Sequence, residues 1–298
     1  MASSTPASAM VDQATVRQRP SRPWLDTLMF VVRKAPFALI TLGILVGLIV
    51  AAPILGLPDP LAINKGEQFS PPSLTYPFGT DEFGRDIFSR VIYAGRTSLM
   101  ASLVAVTLAT LIGVPLGLLA AYVGGILDTL IMRGMDVLLA FPAVLLAMAI
   151  VAVLGPGFTS ALIAVAIVSV PAFARLTRAA ALAQKEREYV QAAQTIGAHP
   201  WYIVFRTLLP NCVPPIIVQM AVTIAFAILL EASLGFLGLG SQPPTPSWGS
   251  MLQTARVHLR RAWWYGTFPG AFVTIFVLAV NSIADTLRDA LDPKTRKI

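Results

Sequence analysis

Residues Glu186–Pro210 read EREYVQAAQTIGAHPWYIVFRTLLP, a mixed polar stretch set between two long apolar runs, 158–177 and 212–239. Tyr189, Ala192, Ala193 and Ile196 fall at i, i+3, i+4 and i+7, one apolar stripe of an amphipathic helix that begins near Glu188. Gly197 stands where such a helix closes in a left-handed residue, and Pro200 suits the first turn of a second helix. The second helix carries Trp201, Phe205, Leu208 and Leu209 and is expected to end at Pro210. Half of the stripe is alanine. Small side chains let a protein partner approach the backbone, whereas lipid favours larger faces, because apolar burial stabilises by about 25 cal/mol per Å². The spacing therefore predicts a compact helix, turn, helix outside the bilayer, while leaving open an ordinary folded-back loop.

The rest of the chain says what this stretch interrupts. Of 298 residues, 56% are hydrophobic and 12% charged, with a mean hydropathy of +0.72. Soluble domains are about 45–50% apolar and about 25% charged, so this is an all-α or all-β integral membrane protein. A helix needs about 20 apolar residues to cross a bilayer. Six runs meet that need, at 36–57, 97–123, 129–154, 158–177, 212–239 and 267–287. They are continuous rather than alternating, which favours helices over a barrel. Pro53, Pro115, Pro142 and Pro171 lie inside the runs and predict kinks, since neighbouring helices re-satisfy freed carbonyls. The first run starts too late, and is too long, for a cleaved signal peptide, and reads as a retained anchor.

Lys and Arg set the orientation. With the N-terminus inside, the cytoplasmic side collects Arg17, Arg19, Arg22, Arg33, Lys34, Arg133, Arg175, Arg178, Lys185, Arg187, Arg206, Arg288, Lys294, Arg296 and Lys297. The outside holds Lys65, Arg85, Arg90, Arg96, Arg256, Arg260 and Arg261. Both termini are thus expected inside. The net charge of +7 finds no basic stripe interleaved with aromatics to serve nucleic acid, and contact with anionic membrane lipid accounts for it. The single cysteine, Cys212, excludes an internal disulfide framework and reads as a small buried residue.

Four units follow: a disordered tail with a basic membrane-proximal segment (1–35), a first span with an external segment (36–96), a core of five spans (97–291) and a cytoplasmic C-terminus (292–298). The external segment contains FGTDEFGRDIFSRVIYAGRTSL, in which Thr80 or Asp81 is expected to cap a helix starting near Asp81. "GGILD" turns the chain inside after the second span, and "GPG" at Gly155–Gly157 turns it outside after the third. A second external loop, before the last span, holds an expected short helix over 248–259. Its Trp263, Trp264 and Tyr265 read as an interfacial aromatic belt.

Glu231 and Asn281 are polar residues at membrane depth, with Asp285 nearer the inner interface. Such residues are functional-site candidates, although the small neighbours Ala232, Ser233 and Gly235 equally suit Glu231 to helix packing. Asp81, Glu82 and Asp86 point to capping and pairing with Arg85 or Arg90 rather than to a metal, since hard cations need six or more oxygens. His199 and His258 have no ligand partner at usable spacing, and no Ser, His and Asp arrangement or H-E-x-x-H motif supports hydrolysis. The phosphate-cradling pattern Gly-x-x-x-x-Gly-Lys-Ser/Thr is missing too.

QAAQTIGAHPWYIVFRTLLPN resembles the cytoplasmic loop of binding-protein-dependent ABC importer permeases, through Ala192, Ala193, Gly197 and Pro210; Gln191 replaces the family glutamate. FGTDEFGRDIFSRVIYAGRTSL, EASLGFLGLGSQPPTPSWGSML and DTLRDALDPK resemble the C-type permeases of dipeptide and oligopeptide importers, so the likeness covers about residues 36–295. The resemblance implies a type I ABC importer permease fold of six transmembrane helices in a bacterial inner membrane. It implies that Glu188, Gln191, Ala192, Ala193, Gly197 and Pro210 belong to an ATPase-coupling loop (186–210), and that Gly79, Thr80, Asp81, Gly84, Arg85 and Asp86 belong to the external signature. It further implies a homologous B-type permease, two ATPase subunits carrying ATP and Mg, an external solute-binding protein, no cofactor in this chain, and peptide, nickel or glutathione as cargo. The rival from another class is a secondary transporter driven by an ion gradient, which would cluster ionisable groups mid-membrane in paired broken helices.

Overall fold

The computed structural model describes residues 23–291; the expected tail 1–22 and the C-terminal residues 292–298 lie outside the described residues. The chain forms α1 (Pro23–Lys34), α2 (Pro36–Ala51), α3 (Ile87–Val123), α4 (Gly125–Leu139), α5 (Ala143–Leu154), α6 (Phe158–Lys185) and α7 (Glu188–Thr195). It continues with α8 (Pro200–Tyr202), a π-helical segment (Ile203–Leu208), α9 (Leu209–Phe236), α10 (Trp248–Ala255) and α11 (Trp263–Leu291). Thr80 and Asp86 pair in an isolated antiparallel bridge.

The six apolar runs recur as helices, with three departures. By length and composition, four stretches among the described residues suffice to cross a bilayer: α3, α6, Pro200–Phe236 and α11. The third run, expected as one span, is instead α4 and α5, bent by 92° at their break. Pro142 is the cause: it adopts an extended ψ of 132° as the N-cap of α5 and cannot donate to the preceding turn. The first run is also shorter than expected. α2 has 16 residues, about 24 Å at 1.5 Å per residue, because the chain beyond it coils into turns.

The third departure is the start of the second span. α3 begins at Ile87, so the boundary expected at 96/97 falls inside an unbroken helix. Its cap is Asp86, not Thr80 or Asp81: Asp86 Oδ1 accepts from Phe88 N at 3.3 Å and Oδ2 from Ser89 N at 3.0 Å. Burial pushes the Asp86 carboxyl above the usual range, and these two backbone N–H bonds work against that rise.

α3 packs most extensively on α6, and glycine makes the contact. A Cβ on Gly113 would lie 2.7 Å from Phe173 Cβ, and one on Gly117 2.4 Å from Ala174 O. This is a Gly-x-x-x-Gly approach of two membrane helices, which trades side-chain volume for backbone contact. Two cores result. One joins α3, α5, α6 and α9 and reaches Val190 of α7 and Ile203 and Leu208 of the π-helical segment. The other joins α2, the start of α3, α10 and α11 around Trp248 and Tyr265. Cys212 is buried in the first core as a free thiol.

Candidate functional site

The loop between α6 and α9 is anchored at three points. Lys185, ending α6, donates from Nζ to Ala121 O at 3.2 Å and Tyr122 O at 2.9 Å, placing a cation on the C-terminal carbonyls of α3. α7 then begins at the exposed Glu188, whose carboxylate suits the positive end of a helix. Val190, for which the stripe pattern gave no role, is the second anchor and is fully buried in the bundle core. Ile203 and Leu208 form the third.

The turn closes as expected. Gly197 has φ +75°, its N–H donates to Gln194 O at 3.0 Å, and Ala198 N donates to Ala193 O at 3.0 Å. These two bonds are the Schellman pair that satisfies a helix's last carbonyls. Pro200 opens α8, and the ring Nδ1 of His199 accepts from Trp201 N at 3.3 Å.

Because Val190 points in, the stripe points out. Tyr189 and Ile196 are exposed, Ile196 by 83%, Ala192 is exposed and Ala193 half-buried. Trp201, 67% exposed, lies 3.9 Å from the Phe205 ring, beside the exposed Tyr202. Five large apolar side chains thus crowd one projecting loop, a patch of the kind that marks a protein contact. Gln191 is exposed, and its Nε2 donates to Glu186 O at 3.3 Å. Pro210 corrects the sequence reading: the second loop helix does not end there but runs through it into α9. The wider π-helical turn just before Pro210 shifts the carbonyl register that its ring would otherwise strike.

At the other end of the bundle, the external segment folds around Asp81, which is fully buried. Its Oδ1 accepts from Phe83 N and Arg85 N, both at 2.9 Å, while Oδ2 meets Arg85 Nε at 2.6 Å and Arg90 Nε at 3.5 Å. Asp81 therefore organises a turn and an ion-pair cluster, as its pairing pattern suggested. Thr80 Oγ1 accepts from Ser70 N at 2.8 Å and donates to Glu67 O. Gly84 has φ +73°, and a Cβ there would meet Asn64 O at 2.2 Å; one on Gly79 would meet Trp264 Nε1 at 2.6 Å. Trp264 and Tyr265 are accordingly not an interfacial belt. Both are buried, and Trp264 Nε1 donates to Thr80 O at 3.3 Å; Trp263 alone of the three is exposed.

The two intramembrane candidates are not brought together. Glu231 is buried on α9, in hydrogen-bonding reach of the Ser98 and Ser247 hydroxyls, with Oε2 unpartnered. Asn281 faces outward on α11. Gln219, which no sequence pattern marked, donates from Nε2 to Thr223 Oγ1 at 3.0 Å. It and Val222 are shared by two cavities of about 350 and 410 Å³, the second reaching Asp285 and Arg288. Asp128 and Asp136, also unmarked, pair α4 to α6: Asp128 takes Arg178 Nε and Nη2 at 2.5 and 2.6 Å, and Asp136 takes Arg175 at 2.7 Å.

Residues 113–297, holding the loop, α9 and α11, match the model of the binding-protein-dependent transport system inner membrane component. The chain belongs to this family. It is 46% identical over 265 residues to the di/tripeptide transport system permease protein DppC of Pseudomonas aeruginosa (strain UCBPP-PA14), covering 85% of this chain and 88% of the relative. To the glutathione transport system permease protein GsiD of Pectobacterium atrosepticum it is 47% identical over 234 residues, 78% and 76% of the two chains. Its fold is that of a chain in the inward-facing structures of the MetNI methionine ABC transporter: TM-score 0.56 at 17% identity, over 69% of this chain and 98% of that one. The chain is thus a multi-pass ABC importer permease, working with other components of its transporter, and ATP is hydrolysed by separate subunits. The exposed aromatic loop is tied to the core of this permease by Val190 and Leu208.

Proposed function

We propose that this permease moves short peptides into a bacterial cell across the inner membrane by alternating access. The observation that carries the substrate class is the 46% identity to a di/tripeptide permease over 85% of the chain. The glutathione relative fits the same class, since glutathione is itself a tripeptide. In this reading the chain pairs with a homologous permease, receives peptide from an external binding protein, and seats its loop (186–210) on one of two ATPase subunits that hold ATP and Mg. The chain itself carries no cofactor.

Reconstituted with those partners in proteoliposomes, the complex is expected to take up a labelled dipeptide only with binding protein on the receiving side and ATP on the other. Uptake driven by an ion gradient without ATP would instead favour a secondary transporter. The orientation is checked in the same complex with single cysteines. Ser70→Cys and Thr245→Cys, both on the far side of the bundle from the loop, are expected to label from outside and Thr195→Cys only from inside. External labelling at Thr195→Cys overturns both the N-in, C-in arrangement and the coupling role.

A further inference from the structure

The largest cavity among those described, about 960 Å³, opens beside the external segment and is lined by three stretches of chain and by Phe158 of α6. Tyr93, Arg96, Thr97 and Met100 form one, on successive turns of α3; residues 57–61 form the second, and residues 241–246 the third. Its volume falls at the upper end of the roughly 300–1,000 Å³ of small-ligand sites. Its charges are unspent. Arg85 and Arg90 are held in the Asp81 cluster, but Arg96 is exposed and makes no ion pair or hydrogen bond among the described residues. Asp59 commits Oδ1 to Leu61 N at 2.9 Å and leaves Oδ2 open.

Behind the cavity the walls are tied together. Glu231 lies in hydrogen-bonding reach of Ser98, next to Thr97, and of Ser247, next to Pro246. Trp248 N also donates to Ser98 Oγ at 3.4 Å, and Trp248 Nε1 to Val91 O at 3.0 Å. The α3 wall and the 241–246 wall are therefore one braced unit. A guanidinium held on such a wall offers the planar fork that binds a carboxylate through two parallel bonds.

We propose that this cavity is an entry subsite for the transported peptide, in which Arg96 takes the C-terminal carboxylate. The inference rests on the peptide-importer reading and adds to it a residue of this chain that recognises the cargo. Asp59 is placed to take the peptide's ammonium group, and Leu57, Leu61, Met100 and Phe158 supply apolar surface for its side chains.

The test compares a dipeptide with its C-terminal amide in the reconstituted transporter, each at a concentration that saturates the binding protein. In Arg96→Gln, uptake of the free acid is expected to fall about tenfold while the amide changes by less than about twofold, the loss of one charge-assisted contact. Arg96→Lys, which keeps the charge but not the fork, falls between. Equal losses for both peptides overturn the proposal. So does a rise, equal for both, in the binding-protein concentration needed for half-maximal uptake, which would make Arg96 a docking contact for that protein. Thiol labelling of Thr97→Cys gives a second readout without binding protein: millimolar dipeptide is expected to slow it, and Arg96→Gln to remove the protection. Absence of protection in the Arg96 parent overturns the subsite. A wild-type complex that moves no peptide defeats the importer reading and the subsite together, whereas normal transport with an unchanged acid-to-amide ratio defeats the subsite alone.

Discussion

Gly197→Val is expected to cut uptake about tenfold or more while leaving the chain at normal abundance in the membrane. Gly197 sits at φ +75° and nothing lies within 4 Å of the Cβ position, so the substitution meets no steric barrier from neighbours. Its whole cost is in the backbone. A β-branched residue in the left-handed region costs about 1–2 kcal/mol, and the chain avoids that cost by rotating Gly197 out of it. Doing so breaks the bonds from Gly197 N to Gln194 O and from Ala198 N to Ala193 O. α7 then leaves α8 at a different angle, and the Tyr189, Ala192 and Ile196 face shifts relative to Trp201 and Phe205.

The bundle is insulated from that change. Ile203, Leu208 and Cys212 remain in the core, and Lys185 still caps α3. The ATPase should co-purify more weakly, and hydrolysis should no longer follow substrate. Gly197→Ala, without the β-branch, is expected to lose less. Gln191→Glu should be tolerated, because Gln191 is exposed and only its Nε2 bond to Glu186 O changes. Full uptake by Gly197→Val at normal expression would show that this turn carries no force.

The loop was legible because its signals are local. Stripe spacing, the glycine and Pro200 each act within a turn, and the Asp81 cluster draws on Arg85 four residues away and Arg90 nine away. Prolines were less informative, since their outcome is decided by neighbours. Pro115 and Pro171 sit inside unbroken helices, Pro142 breaks one by 92°, and Pro210 is absorbed after a π-helical turn. One residue type with three results cannot be sorted by pattern alone. Trp264 and Tyr265 misled for a related reason: an aromatic cluster at a span's end suits an interface equally well, and only the distant Thr80 carbonyl draws Trp264 inward. The ties between α4 and α6 were hidden because Asp128 and Arg178 are 50 residues apart. Gly113 and Gly117, by contrast, are four residues apart in an apolar run and could have been read as a packing face.

That face carries the largest expected structural effect. In Gly117→Leu the new Cβ would lie 2.4 Å from Ala174 O, 2.8 Å from Thr177 Cβ and 2.9 Å from Arg178 N. Two of the three are backbone atoms, so no side-chain rotation relieves the clash and α3 must move off α6. Overpacking a well-filled core costs about 1–3 kcal/mol, and here the displacement also strains contacts beyond the glycine. Arg178, whose N is one of the three clashing atoms, holds Asp128 of α4, and Lys185 two turns on holds the α3 C-terminus. A helix pair pushed apart at Gly117 therefore loosens the knee at Pro142 and the root of the loop at once. Membrane abundance of Gly117→Leu is expected to fall severalfold and the residual protein to fail to assemble with its ATPase, read by immunoblot and co-purification. Leu119→Ala, two residues away on the exposed side of α3, should leave both near wild type. Normal abundance and assembly for Gly117→Leu would mean that α3 and α6 do not meet backbone to backbone, and the coupling proposed for the loop would have to reach the bundle by its other anchors.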